Sequence, residues 1–227
     1  DRAARARDRP RPRLTAHDPS ELRELAVRAA RETGALLRHH AERGLRGLDT
    51  KSTATDMVSD ADREAEELLV RILSEARPDD AILGEEGAGR EGTSGLRWVV
   101  DPLDGTTNFV FGYPQWAVSV AVEDEHGTLA GAVYDPSRDE MFAAGRGRGT
   151  TLNGDRVHVR GTHDLGQALI ATGFGYDAER RALQAEQVAR VIGHIRDIRR
   201  GGAAAIDIAW VRSEEHTSEL QSRLHLV

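Results

Sequence analysis

The chain predicts a layered α/β fold whose first half is largely antiparallel. Three observations carry that prediction. Two amphipathic helical patterns stand together near the start. A series of short apolar runs follows, separated by loops rich in Gly, Asp and Asn. Two further helical patterns lie beyond them, and strand and helix blocks do not alternate strictly. With 227 residues, 39% hydrophobic and 30% charged, the chain is long enough for one sizeable core built as two lobes.

The elements follow in order. Asp1 to Arg13 is nearly all Arg, Asp, Ala and Pro and can bury little, so residues 1–19 read as a disordered leader. The leader has no aromatic residue for base stacking, which disfavours an RNA-binding arm. Ser20 is expected to cap a helix to about Arg43, with Leu22, Leu25, Ala29, Leu36 and Leu37 on its apolar face and Gly44 ending it. After the polar segment Asp49 to Met57, Ser59 is expected to cap a second helix. Its buried side is Ala61, Ala65, Leu68, Leu69, Ile72 and Leu73, and Pro78 closes it. Strands are expected at Ala81 to Leu83, Arg97 to Val100, Ala117 to Val122, Ala130 to Tyr134 and Glu140 to Ala144. Asn153-Gly154-Asp155 has hairpin chemistry, so a strand should flank it on each side. Ala168 to Ala171 reads as another strand. Asp177 to about Ile195 reads as an amphipathic helix burying Leu183, Val188, Val191, Ile192 and Ile195, and Gly202 to Val211 as an Ala-rich one. Residues 20–150 thus form an N-terminal α+β lobe and residues 151–211 an incomplete C-terminal α/β lobe.

Composition excludes several classes. A net charge of -7 argues against nucleic-acid binding through bulk positive charge. The absence of Cys rules out disulfides and thiolate metal sites and fits a reducing cytoplasm. No apolar run approaches the roughly 20 residues of a membrane helix, and no secretory signal opens the chain.

The chemistry concentrates in Trp98-Val99-Val100-Asp101-Pro102-Leu103-Asp104-Gly105-Thr106-Thr107-Asn108-Phe109. An apolar strand delivers Asp101 and Asp104 onto a turn, and a glycine, hydroxyls and an amide follow. Such a strand end packs poorly and suits Mg²⁺, which takes oxygen ligands and usually accompanies phosphate. Gly84-Glu85-Glu86-Gly87 follows another strand, and Asp60 and Asp62 are expected in the first turn of the second helix. A metal-assisted phosphate hydrolase needs such a set: carboxylates to bridge Mg²⁺ ions and a hydroxyl to orient the attacking water. Each piece also has a plainer reading. Ser59 and Asp62 have capping-box spacing, Glu85-Glu86 beside Gly suits a solvated turn, and Asp101-Pro102 suits a turn start.

Taken jointly, Asp101-Pro102-Leu103-Asp104-Gly105-Thr106-Thr107-Asn108-Phe109, the upstream Gly84-Glu85-Glu86 and the stretch from Lys51 to Asp62 resemble the inositol monophosphatase family over about Ser20 to Val211. The resemblance implies a layered α-β-α-β-α sandwich of the sugar phosphatase type, usually a homodimer, with two or three Mg²⁺ ions and sensitivity to Li⁺. It implies that Glu85, Asp101 and the Leu103 carbonyl hold the first metal, and that Asp101 and Asp104 hold most of the second. Thr106, paired with Asp62, would orient the nucleophilic water alongside Glu85. Gly105 and Thr106 would offer backbone N–H groups to the phosphate. Lys51, Arg199, Gly202 and Ala203 would fall on the substrate side. At Ala203 the family usually has Ser or Thr, so one hydroxyl contact is missing.

The family's second signature, a Trp-Asp followed by small residues, is expected beyond Val211, and the chain does not show it. Arg212 to Ser222 resembles no family segment and reads like a translated sequencing adapter joined to a truncated frame, so residues 212–227 are expected to be a non-native tail. The expected activity is Mg²⁺-dependent hydrolysis of a small phosphate monoester, inositol monophosphate first, in the cytoplasm. The alternatives are histidinol phosphate as substrate, an inactive fragment, or a non-enzymatic binding protein, since some bacterial relatives of this family partner the transcription machinery.

Overall fold

The computed structural model describes residues 17–46, 54–85, 89–159, 164–175, 177–211 and 224–226. The leader before His17, Lys51, Glu86 and most of the expected tail lie outside them.

Helix α1 spans Pro19–Arg46 and α2 spans Ala54–Ala76. The cap of α1 is Asp18 rather than Ser20. The Asp18 carboxylate accepts the Ser20 N–H at 2.8 Å, and Pro19 takes the first helical position, where its missing N–H costs nothing. Helix α2 starts before Ser59, so Ser59 lies inside the helix and Asp60 and Asp62 sit well past its first turn. The Ser59–Asp62 spacing is therefore not a cap.

Seven strands form one sheet in sequence order: β1 (Ala81–Leu83), β2 (Arg97–Asp104), β3 (Ala117–Asp124), β4 (Gly127–Asp135), β5 (Glu140–Gly145), β6 (Gly149–Leu152) and β7 (Asp155–Val157). β1 and β2 run parallel, and every later pair is antiparallel. Alternation sorts the faces: Val118, Val120 and Val122 of β3, with Ala130, Ala132 and Tyr134 of β4, join the core shared with α1 and α2. Helix α1 approaches β4 closely because residue 34 is Gly; a Cβ there would stand 2.5 Å from the Tyr134 ring.

A short helix, α3 (Thr106–Val110), follows β2. Beyond the large sheet lie β8 (Leu169–Ala171), α4 (Ala178–Val191), β9 (Asp197–Arg199), α5 (Ala204–Val211) and β10 (Leu224–Leu226). β8 pairs in parallel with both β9 and β10, and α4 is the crossover that a parallel β8–β9 pair requires. Helix α5 packs on β3 and β4, with Ala203 and Ile206 buried beside Ala117. The result is the expected mixed α/β layering with a mostly antiparallel main sheet.

Four further expectations change. α1 runs on past Gly44 to Arg46. β2 runs on through Asp104 instead of ending at Val100, with a register irregularity between Asp101 and Asp104. α4 ends at Val191, and a 3₁₀ turn at Ile192–His194 precedes β9, which the sequence reading missed. The apolar side expected for α4 is not buried: no residue of the helix is, and Leu183 is 63% exposed. Among the described residues, no helix is long and apolar enough to cross a membrane.

Candidate active site

The site is assembled at the C-terminal ends of β1 and β2. Because the strands are parallel and Leu83 pairs with Val99, the residues that follow them leave the sheet side by side. Glu85 thereby reaches Asp101, and the two side chains are within hydrogen-bonding range. β1 is held in place from behind. The Asp80 carboxylate is buried and accepts the Trp98 indole N–H at 2.9 Å and the Arg77 Nε–H at 2.8 Å. Arg90 donates to the carbonyls of Arg77, Pro78 and Asp80.

At Asp101 the irregular register frees the Leu103 N–H to donate to Asp101 Oδ1 at 3.1 Å. Asp104 is fixed differently: its Oδ2 accepts the Ala205 N–H at 2.6 Å, from the first turn of α5. Gly105 follows with φ +94°, a left-handed conformation that glycine takes without strain, and α3 begins at once. The Thr106 hydroxyl donates to the Leu103 carbonyl at 3.0 Å. Asn108 is buried and donates to the carbonyls of Gln115 at 2.6 Å and Gly201 at 2.9 Å, tying α3 to the loop that opens α5.

Charge dominates this corner. Burial pushes the Asp101 carboxyl up, and the nearby Glu85 and Asp104 carboxylates add to it, to about 7. Burial also raises Asp104, although the Ala205 and Ala204 amides pull the other way. Asp207 is pushed to about 6 by burial and by Asp104, against the Arg200 guanidinium and the Gln115 amide. Carboxyls raised by burial and by like charge beside them are candidates for a functional site. The donors are all oxygen, which fits a hard divalent cation. Among the described residues, no group of three or more Asp, Glu or His side chains is drawn tightly around one point. The acids stand as neighbours along the strand ends, with Glu85 on the exposed rim.

The other predicted residues are placed as follows. Asp62 is half-buried on α2. Gly202 has φ +88°, and Ala203 is buried with its methyl facing Gly105. Arg199, on β9, is exposed and donates to Asp197 Oδ2 at 2.5 Å. Sequence reading missed Gln115 and Asp207, whose side chains bond to each other at 3.1 Å. A lone acid on the buried side of the Ala-rich stretch Ala203 to Val211 was the available signal for Asp207; nothing in the sequence marks Gln115. An apolar groove of about 700 Å³ lies along β3 to β6 beside Ala205, Ile208 and Ala209, and none of the site acids lines it.

Paired carboxylates on strand ends, followed by a glycine turn and a hydroxyl, have the chemistry of a phosphatase site. Comparison with known proteins agrees. The model of the inositol monophosphatase family matches residues 18–223, and the chain belongs to that family, whose members act on phosphate monoesters and are generally metal-dependent. The chain is 38% identical over 213 residues to the inositol-1-monophosphatase SuhB of Mycobacterium tuberculosis, covering 86% of this chain and 73% of the relative. It is 38% identical over 189 residues to the Nus factor SuhB of Pasteurella multocida, covering 82% and 71%. Among solved structures, Mycobacterium tuberculosis SuhB superposes with a TM-score of 0.75 at 36% identity, covering 86% of this chain and 75% of that one. The inositol monophosphatase of Anabaena superposes at 0.73 and 30% identity, covering 85% and 71%.

Proposed function

We propose that the chain hydrolyses a small phosphate monoester, inositol 1-phosphate first, with Mg²⁺ as cofactor. The observation that carries this reading is the side-by-side placement of Glu85, Asp101 and Asp104 at one pair of strand ends, with Asp101 raised to about 7 by burial and its two neighbours. Glu85, Asp101 and the Leu103 carbonyl are assigned to one ion, and Asp101 with Asp104 to a second. Bound Mg²⁺ supplies a Lewis acid that stabilises charge on phosphate oxygens and lowers the pKa of water. The Thr106 hydroxyl donates its hydrogen bond to the Leu103 carbonyl, so its lone pairs remain to accept from a water. Asp62, on the neighbouring α2, is assigned to the same water-orienting pair, and Glu85 to receiving the proton. Gly105 lets the chain approach the phosphate without a side chain in the way. Gly202, Ala203, Arg199 and Lys51 are assigned to the substrate side. Li⁺ inhibition, a homodimeric state and a cytoplasmic location belong to this reading.

The test is release of inorganic phosphate by the purified chain with Mg²⁺, from inositol 1-phosphate and from histidinol phosphate. Release from the first above the second is expected. Preference for histidinol phosphate would replace the substrate, and release from neither would overturn the reading. A second reading rests on a specific likeness: relatives 38–41% identical are named Nus factors. A binding role of that kind alone would leave folding intact and activity absent.

A further inference from the structure

We propose that Gln115 and Asp207 form a positioning latch that fixes the Asp104 carboxylate through the first turn of α5. The proposal rests on the reading of Asp104 as a cation-holding residue. Asp104 Oδ2 accepts the Ala205 N–H at 2.6 Å, so its orientation follows the position of α5. Two residues along the same helix, the buried Asp207 carboxylate accepts the Gln115 Nε2–H at 3.1 Å. Gln115 in turn lies two residues before Ala117, the register partner of Asp104 across the β2–β3 pair. The contacts close a ring: Asp104 to Ala117 through the sheet, Ala117 to Gln115 along the chain, Gln115 to Asp207, and Ala205 back to Asp104.

The loop before α5 is seated directly on this ring. A Cβ at Gly201 would fall 1.8 Å from Gln115 Nε2 and 2.7 Å from Asp207 Oδ1. Asn108 closes the ring from the other side by donating to the carbonyls of Gln115 and Gly201 together. Gln115 needs only an acceptor oxygen opposite it, so an amide at residue 207 serves the latch as well as a carboxylate does. That separates the latch from a role for the charge of Asp207.

The test measures Mg²⁺ binding by calorimetry and amide hydrogen exchange at Ala205 in the purified chain and three variants. Partners that orient a ligand from behind change metal affinity by about 10-fold to 100-fold when removed. Gln115→Met, which fills the space without a donor, and Asp207→Leu should each weaken Mg²⁺ binding about 10-fold and speed Ala205 exchange by a similar factor. Asp207→Asn should stay within about threefold of the unmodified chain in both, a rescue that a role for the charge would not give. The latch is overturned by unchanged binding and exchange in Gln115→Met, or by Asp207→Asn behaving like Asp207→Leu. If Asp207→Leu does not fold, Gln115→Met and Asp207→Asn decide. If the unmodified chain binds no Mg²⁺, the cation reading falls, and exchange at Ala205 alone decides the latch.

Discussion

Leu83 and Val99 are side-by-side partners in the parallel β1–β2 pair. Glu85 lies two residues beyond the first and Asp101 two beyond the second, so one pairing brings two carboxylates level. Packing alone gives no reason for that, and the buried Asp101 carboxylate weakens the fold when no cation is present. Asp101→Asn should therefore raise the melting temperature in EDTA at pH 8 by several degrees, on the order of 3 kcal/mol, by removing a buried charge and the repulsion beside it. The same change should cut phosphate release by more than about 100-fold, because an amide is a poor ligand for a hard cation. Melting curves and phosphate assays on one preparation check both, and retained turnover would remove Asp101 from the cation site.

The pH dependence follows with a definite sign. Asp101 rises from an ordinary 3.8 to about 7 on folding, and Asp207 from 3.8 to about 6. A raised carboxyl adds stability that is complete below the unfolded value and lost as pH climbs through the folded one. Between about pH 4 and pH 7 the metal-free chain should lose on the order of 5 kcal/mol from these groups. Denaturant midpoints in EDTA at pH 5 and pH 8 measure it, and Asp101→Asn should flatten most of the difference. A midpoint that rises with pH over this window would contradict the assignment.

Local chemistry and tertiary context divide what the sequence disclosed. The apolar periodicity of α1 and α2 and the alternation in β3 and β4 are written in the residues that meet in the core, so those elements were legible. The placement of Asp101 and Asp104 at a strand end was legible too, because an apolar strand leads directly into them and Gly105 turns the chain after them. The start of α2 was not: Ser59-x-x-Asp62 is locally a good cap, yet the helix runs back through it to Ala54. β9 was hidden because a three-residue strand forms only by parallel pairing with β8, a partner far along the chain. Gln115 and Asp207 are separated by 92 positions, and no local pattern announces a bond between them.

Behind the site, Asp80 anchors β1. Burial pushes its carboxyl up, but hydrogen bonds from Arg77, Ser94 and Trp98 and the Arg77 charge outweigh that and hold it below the usual range. Asp80→Ala leaves the buried Trp98 N–H without an acceptor and Arg77 without its partner, a loss of about 3 kcal/mol. A lowered carboxyl contributes stability above the unfolded value and loses it as pH falls, so the gap between variant and unmodified chain should shrink below about pH 4. Denaturant titrations of both at pH 7 and pH 3 test this; a constant gap would assign the effect to packing alone.

Two glycines make a paired test of close approach. At Gly173 an added methyl would meet nothing within 4 Å, and the backbone there is not left-handed. Gly173→Ala should be neutral or stabilising by about 0.5 kcal/mol, through the entropy of the unfolded chain. Gly201→Ala also keeps an ordinary backbone, but its methyl would displace the Gln115 amide from 1.8 Å and crowd Asp207. The Gln115 side chain can swing away only by abandoning the buried Asp207 oxygen, so the substitution should destabilise by about 2 kcal/mol. Unfolding free energies of the two variants in one buffer compare the effects directly. Equal values would mean that the contact between Gly201 and the Gln115–Asp207 pair is not maintained in solution.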